Sequence, residues 1–256
     1  MTSVHQKVAL VTGGARRIGR AIALGLAKAG WDIAVHYGNS ENDAETTAAA
    51  VRALGRRAVV LQCDLLDTEA TVALLPMAQV ALGPVSCVVN NASIFEFDDT
   101  KSFSVPLLQR HMLINLSAPI LLAQALHAAT PAGSQSVVVN LLDQKLFNLN
   151  PDFLSYTLSK AALHCASTML AQALAPTVRV VNIAPGLTLP SHMQTDGEFH
   201  DTHQLSPLGA SNNPEEIADG VIFAVTNRAI TGSTILIDSG QHMLSLPRDF
   251  SFIKRN

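Results

Sequence analysis

Two groups of residues have the types and spacing to do chemistry together. Tyr156 and Lys160, in Tyr156-Thr157-Leu158-Ser159-Lys160, stand four apart and share one face if the segment is helical. A phenol, with a reference pKa of about 10, works as an acid–base group near neutrality when a nearby cation favours its phenolate, and Lys160 is that cation. The second group is Thr12-Gly13-Gly14-Ala15-Arg16-Arg17-Ile18-Gly19, between an apolar run and an amphipathic stretch. Glycines at such a turn let the backbone approach a pyrophosphate, and the free N–H groups of a following helix can bind it. Either pattern alone is common. Together, with a strand before the turn and a helix after it, they point to a nucleotide cofactor and a proton-donating tyrosine.

Charge around the second strand suggests which cofactor. A unit that binds NAD usually ends this strand in an acid that grips the ribose 2′-hydroxyl. Here the strand ends Ala34-Val35-His36-Tyr37-Gly38-Asn39-Ser40, with no carboxylate before Glu41. Arg16, His36 and Ser40 would attract or hydrogen-bond a 2′-phosphate, so NADPH is expected over NADH. Arg16 and Arg17 also fit a solvated pair on a loop. Asp64-Leu65, just after the third strand, places a carboxylate that could accept from an adenine amino group. Asn90-Asn91-Ala92-Ser93 supplies amides and small side chains where a cofactor must lie close.

The elements that position these groups are legible as short apolar runs alternating with amphipathic stretches. Strands are expected at 8–11, 32–36, 58–62, 85–90, 136–142, 178–183 and 234–237, each nearly all apolar, as in strands buried on both faces. Helices are expected at 18–29, 42–54, 68–82, 105–128, 153–174 and 214–225. The last opens with Asn213 as N-cap, Pro214 at the first helical position and two acids. The predicted fold is α/β: a single Rossmann-type, doubly wound domain over 1–256, with a seven-stranded parallel sheet covered by helices on both faces. Residues 187–213 are polar and aperiodic, and are expected to form a substrate loop over the carboxyl ends of the strands. Its histidines, His192, His200 and His203, could meet an anionic substrate tail or simply lie on the surface.

Composition narrows the function classes. A hydrophobic fraction of 48% against 14% charged residues gives enough apolar material for a sizeable core. A net charge of −3 gives no basic footprint, so nucleic acid is not an expected partner. No metal is expected, because the histidines show no ligand spacing. Cys63 and Cys87 sit in apolar runs and read as buried thiols, which suits a reducing cytoplasm. The polar start resembles no signal peptide, and no uninterrupted apolar window suggests a membrane span.

The landmarks in order resemble the short-chain dehydrogenase/reductase family over nearly the whole length. They are Thr12-Gly13 to Gly19, Asp64, Asn90 to Ser93, Asn115, Tyr156/Lys160, Asn182-Ile183-Ala184-Pro185-Gly186, Pro214-Glu215-Glu216-Ile217-Ala218, and Thr231-Gly232 to Asp238. The resemblance implies a nicotinamide cofactor, a homotetramer, and a role for Asn115 in bending a helix and organising a water relay to Lys160. Three departures resemble the pteridine reductase branch: Arg17 and Ser93 where glycine is usual, and Asp143 where serine is usual, thirteen residues before Tyr156. Phe95 falls where that branch stacks a ring on the pterin. His36-Tyr37 and Ser40 match its NADP-binding segment, and Pro185-Gly186-Leu187 its substrate-side wall. Gly38-Asn39 lack the basic residue often found there, so Arg16 would carry more of the NADP preference.

Asp143 has a chemical rationale. Reduction of a pterin C=N bond needs a proton at a ring nitrogen, and a partly buried carboxyl beside Tyr156 can relay one. A pterin would lie between nicotinamide and Phe95, with Arg17 reaching both its edge and a cofactor phosphate. The expected activity is therefore NADPH-dependent reduction of a dihydropterin, dihydromonapterin or dihydrofolate. Asp143, Tyr156, Lys160 and Asn115 are its catalytic residues, and Arg17, Ser93, Phe95 and Leu187 touch substrate. The alternatives are a carbonyl or 3-oxoacyl thioester reductase and an NADPH-binding regulator without catalysis.

Overall fold

The computed structural model describes residues 7–190, 197 and 202–252. Seven strands form one parallel sheet: β1 (Val8–Val11), β2 (Asp32–Tyr37), β3 (Ala58–Gln62), β4 (Cys87–Asn90), β5 (Ser136–Leu141), β6 (Val178–Pro185) and β7 (Thr234–Ile237), in the order β3-β2-β1-β4-β5-β6-β7. Every residue of β1, β2, β4, β5 and β6 is buried, which is why these runs carry no polar alternation. The edge strands depart from the expected two-sided burial: β7 is half-buried throughout, and β3 ends in the exposed Gln62.

The main helices are α1 (Arg17–Lys28), α2 (Glu41–Ala53), α3 (Thr68–Leu82), α4 (Val105–Met112), α5 (Ala118–Ala129), α6 (Leu154–Ala173) and α7 (Pro214–Thr226). Ile22, Leu26 and Val221 of α1 and α7 pack against Val11, Val35 and Val181 on one face of the sheet. Leu74, Leu122 and Ala171 of α3, α5 and α6 cover the other. Chain direction across the sheet reverses between β1 and β4, and the crevice beyond their carboxyl ends is where open α/β sheets take ligands.

The single helix expected over 105–128 is interrupted. A π turn, Leu113–Ser117, separates α4 from α5, with buried Asn115 at its centre. Such a turn inserts one residue into the helical ladder and is found near functional sites. The stretch Val105–Ala129 is long and apolar enough to cross a membrane, with mean hydropathy 1.5, but here it is a core element whose Leu122 and Leu126 are fully buried.

Side-chain amides cross the sheet in register. Asn90 Nδ2 donates to Asn140 Oδ1 at 2.8 Å, Asn140 Nδ2 to Asn182 Oδ1 at 3.4 Å, and Asn182 Nδ2 to Thr234 Oγ1 at 3.2 Å. These four residues are direct partners on β4, β5, β6 and β7. The three asparagines are buried, so the ladder answers most of the hydrogen-bonding demand they bring into the core.

Candidate active site

The Gly-rich turn is built by hydrogen bonds from two directions. Gly13 lies at φ 60, a conformation natural to glycine, and its N–H donates to His36 Nδ1 at 3.1 Å. Since Nδ1 accepts, the His36 proton sits on Nε2, which faces Cys63 O at 3.1 Å. The ring is buried and neutral, and burial pushes its pKa below the ordinary histidine value. From the other side, Asn91 Nδ2 donates to Thr12 O at 2.9 Å and Gly13 O at 3.1 Å, and Thr12 Oγ1 accepts the Asn91 and Ala92 N–H groups, each at 3.0 Å. A methyl at Gly19 would run into the Gly13 carbonyl and the Asn91 amide, so the helix begins as close to the turn as backbone allows.

Along this turn runs a groove of 420 Å³ lined by Gly13, Arg16, Tyr37, Ser40 and Ala92. Ser40 occupies the N-cap of α2 yet makes no capping hydrogen bond, so its hydroxyl is not committed to the helix. Arg16 stands at the N-cap of α1 and is exposed. Asp64 is exposed at the end of β3, where Oδ1 accepts the Leu66 N–H at 3.0 Å, while Leu65 is buried. His36 is placed otherwise than its sequence position suggested. With both ring nitrogens engaged under the turn, it is a support for Gly13 and not a phosphate contact.

The groove opens into a cleft of 610 Å³, with Arg16, Arg17, Ile18, Asn91 and Ser93 bordering both. Asp143, Tyr156 and Lys160 line this cleft. The start of α6 is fixed by a distant residue: Asp98 Oδ1 accepts the Ser155 N–H at 2.9 Å, and Phe153 precedes the helix at φ 56. One turn in, the Tyr156 hydroxyl donates to Asp143 Oδ2 at 2.7 Å. Asp143 lies two residues beyond β5 as the N-cap of a 3₁₀ turn, Gln144–Phe147, with Oδ1 accepting the Lys145 N–H at 2.8 Å. Burial raises the Asp143 pKa, partly offset by these hydrogen bonds. Lys160 is buried, donates to Leu141 O at 2.6 Å, and is brought by burial down to about 8.

This geometry corrects one expectation. Lys160 was to favour the Tyr156 phenolate, but burial and the neighbouring Asp143 charge push the phenol well above its usual value. Tyr156 is a hydroxyl donor held by a carboxyl. Asn115, at the centre of the π turn, has its side-chain amide fully engaged. Its Oδ1 accepts from Ser93 Oγ and the Ile94 N–H, both at 3.0 Å, and its Nδ2 donates to Ile94 O at 3.1 Å and Ser159 Oγ at 3.0 Å.

The outer walls come from Phe95, Arg17, 185–189 and the C-terminal segment. Phe95 stacks on Phe153 with centroids 4.0 Å apart and meets Tyr156 edge-on at 4.7 Å, so at most one ring face is left for a ligand. Arg17 adopts φ 53 and its Nη2 donates to Pro190 O at 2.9 Å, linking the cofactor turn to the start of 187–213. Gly186 follows β6, with its N–H on Ile237 O at 3.0 Å, and the Leu187 N–H donates to Gln241 Oε1 at 2.8 Å. Gln241 Nε2 in turn reaches Ser206 and Ser211, tying both ends of that loop together. His192 and His200 lie outside the described residues; the backbone carbonyl of His203 accepts from Ser206 Oγ at 3.1 Å.

Residues 7–200 match the family model described as short chain dehydrogenase. The chain belongs to the short-chain dehydrogenase family. Among curated relatives of this dehydrogenase is an L-rhamnose 1-dehydrogenase (NAD(P)(+)) from Sphingomonas sp., 28% identical, covering 95% of this chain and 99% of the relative. Another is a 3-oxoacyl-[acyl-carrier-protein] reductase from Synechocystis sp., 29% identical, covering 95% and 100%. Among solved structures, FolM alternative dihydrofolate reductase 1 from Brucella suis, in complex with NADP, is 41% identical with TM-score 0.89, covering 94% of this chain and 96% of that one.

Several residues of this short-chain dehydrogenase site gave no sequence signal. Asp98 caps α6 across 57 positions, and Asp249, Phe250 and Ser251 line the cleft from the far end of the chain. Lys145 gave none either: a lone lysine in a loop reads as solvated, yet it is buried and bonded to Asp249 at 2.8 Å.

Proposed function

We propose that this short-chain dehydrogenase is an NADPH-dependent pteridine reductase, acting on the C=N bond of a dihydropterin, dihydromonapterin or dihydrofolate. The observation that carries the reading is the Tyr156–Asp143 hydrogen bond of 2.7 Å, where the ketone-reducing pattern would put a serine. The 41% identity to a protein described as an alternative dihydrofolate reductase supports it.

The residues at the turn fit the cofactor: glycines that let it lie close to the backbone, an exposed Arg16 and an uncommitted Ser40 hydroxyl, with no acid among the described residues lining the groove. Gly13, Ile18 and Gly19 would border the pyrophosphate, Arg16 and Ser40 the 2′-phosphate, and Asp64-Leu65 with Asn91 and Ala92 the adenosine. Lys160 would hold the nicotinamide ribose, and Pro185-Gly186 would close over the ring. The bound nicotinamide supplies hydride.

The chain's own residues handle the proton. When Asp143 is ionised, the Tyr156 hydroxyl is spent on it. When Asp143 is protonated, its O–H donates to the phenolic oxygen, and the Tyr156 O–H is free to donate to a substrate ring nitrogen. Burial of Asp143 favours that second state. Arg17, Ser93, Phe95 and Leu187 would orient the bicyclic ring. In this reading the protein is a cytoplasmic homotetramer; the exposed Leu158 and Met169 of α6 offer apolar surface for association.

The test is NADPH oxidation with 7,8-dihydropterins and dihydrofolate beside an acetoacetyl thioester. Turnover of the pterins, lost in Asp143→Asn, is expected. Turnover of the thioester alone, indifferent to Asp143→Asn, would replace this reading with a carbonyl reductase, which the Synechocystis relative favours.

A further inference from the structure

Asp143 shares its turn with a buried cation. Lys145 is two residues on, its backbone N–H donates to Asp143 Oδ1, and its side chain is almost wholly inside the protein. An ammonium so placed, left alone, would pull the proton from Asp143 and stop it acting as a donor at neutral pH. It is not alone. Lys145 Nζ donates to Asp249 Oδ2 at 2.8 Å and also bonds Asn150 Oδ1. Asp249 lines the same cleft as Asp143 and Tyr156, and its negative charge bears on both.

The segment carrying Asp249 is held at several points. Arg248 Nε grips both oxygens of Asp152, at 2.8 and 3.0 Å, and the Asp249 N–H donates to Asp152 Oδ2 at 2.8 Å. Phe250 is buried, and the Phe252 ring lies 5.2 Å from that of Phe97 and 6.0 Å from that of Phe153. Phe153 is in turn the residue that stacks on Phe95.

We infer that Lys145 and Asp249 are a positioning pair. Neutral as a unit, it pins the C-terminal segment as the substrate-side wall and leaves Asp143 able to keep the proton it delivers through Tyr156. The inference rests on the pteridine reductase reading for the use of that proton. The pair itself stands on the ion-pair geometry. Among the described residues, the charged and titratable groups facing Asp143 are Lys145 on its own turn, Tyr156 and Lys160 on α6, and Asp249 on the C-terminal segment. Arg16 and Arg17 border the same cleft from the cofactor turn. Only Lys145 and Asp249 form an ion pair among them.

Opposite charges give opposite signatures. In Asp249→Asn the Lys145 charge is unbalanced, Asp143 releases its proton more readily, and the alkaline limb of kcat/KM with dihydropterin moves to lower pH. In Lys145→Gln the Asp249 carboxylate is unbalanced, and the limb moves to higher pH. Each shift is expected to be about half a pH unit or more, and the double variant should return close to wild type. A loss of packing alone would move both limbs the same way or neither, and either result overturns the inference. Should Lys145→Gln fail to fold, as read by thermal melting, Asp249→Asn decides: an unmoved or upward limb overturns the pair. If no pterin is turned over, the reading of the substrate fails separately. The infrared carbonyl band of Asp143, assigned by its loss in Asp143→Asn, still titrates in the same three variants and reports the same opposite shifts or their absence.

Discussion

The Tyr156 hydroxyl donates a hydrogen bond to Asp143 at 2.7 Å, while Lys160, one helical turn further on, turns its ammonium to the Leu141 carbonyl. The phenol is therefore partnered by an acid, and the lysine is a separate cation beside it. This division sets what a pH profile should look like, because in the proposed reaction the group that must be protonated for reduction is Asp143.

Asp143→Asn preserves shape and removes the ionisable proton. kcat/KM for dihydropterin should fall about 100-fold or more and lose its alkaline limb. In the native protein burial raises the Asp143 pKa, so activity should be full below it and decline as pH rises through it. The stability sign follows the same shift. A raised native pKa favours the fold below the unfolded value of about 3.9, and that contribution is lost as pH rises through the native value. At pH 7.5 the Asn variant should melt no lower than wild type; a marked drop in the melting curve would contradict the assignment.

Lys160 is expected to matter through cofactor affinity. With its pKa brought down to about 8, the free protein loses this cation in mildly alkaline solution. NADPH binding followed by fluorescence should weaken as pH rises through about 8. Lys160→Met should bind about tenfold more weakly at pH 7 and show no such dependence.

His36 should prove structural. His36→Phe leaves both the Gly13 N–H and the Cys63 carbonyl without partners, a cost of about 2–4 kcal/mol, visible as a lower denaturation midpoint. The buried ring resists protonation, so its native pKa lies below the unfolded value. The stability this provides is present above the unfolded pKa of about 6.5 and is lost as pH falls through the native pKa. His36→Gln, which can accept from Gly13 and donate to Cys63, should retain the fold and lack that acid-side decline.

Arg17→Gly tests whether a strained backbone is kept for binding. At φ 53 a residue with a Cβ carries about 1 kcal/mol of strain that glycine relieves, offset by glycine's freedom in the unfolded chain. Stability should stay within about 1 kcal/mol of wild type, while KM for dihydropterin rises about tenfold. An unchanged KM would remove Arg17 from the site.

The sheet was legible because strands buried on both faces must be apolar throughout, and Val137, Val138 and Val139 admit few other readings. The order of landmarks along the chain also located the cleft. What the residues could not disclose was partnership at a distance. His36 looked like a phosphate ligand because a histidine at a strand end is usually free; only the fold shows Gly13 and Cys63 taking both nitrogens. Lys145 and Asp249, 104 positions apart, are unremarkable until burial removes the water that would have screened them. The π turn at Asn115 was hidden for another reason: one extra residue per turn leaves the apolar spacing of a helix nearly unchanged.

The amide ladder from Asn90 to Thr234 acts as a gauge for the whole edge that carries the candidate site. A strand sliding by one position would turn its asparagine toward the opposite helical layer, among aliphatic neighbours with no amide to greet it. Backbone pairing alone tolerates such slips better than a row of matched side chains does. Asn91, Asp143 and Gly186 each follow a rung-bearing strand within a few residues, so their mutual spacing is fixed from beneath, independently of the loops that carry them.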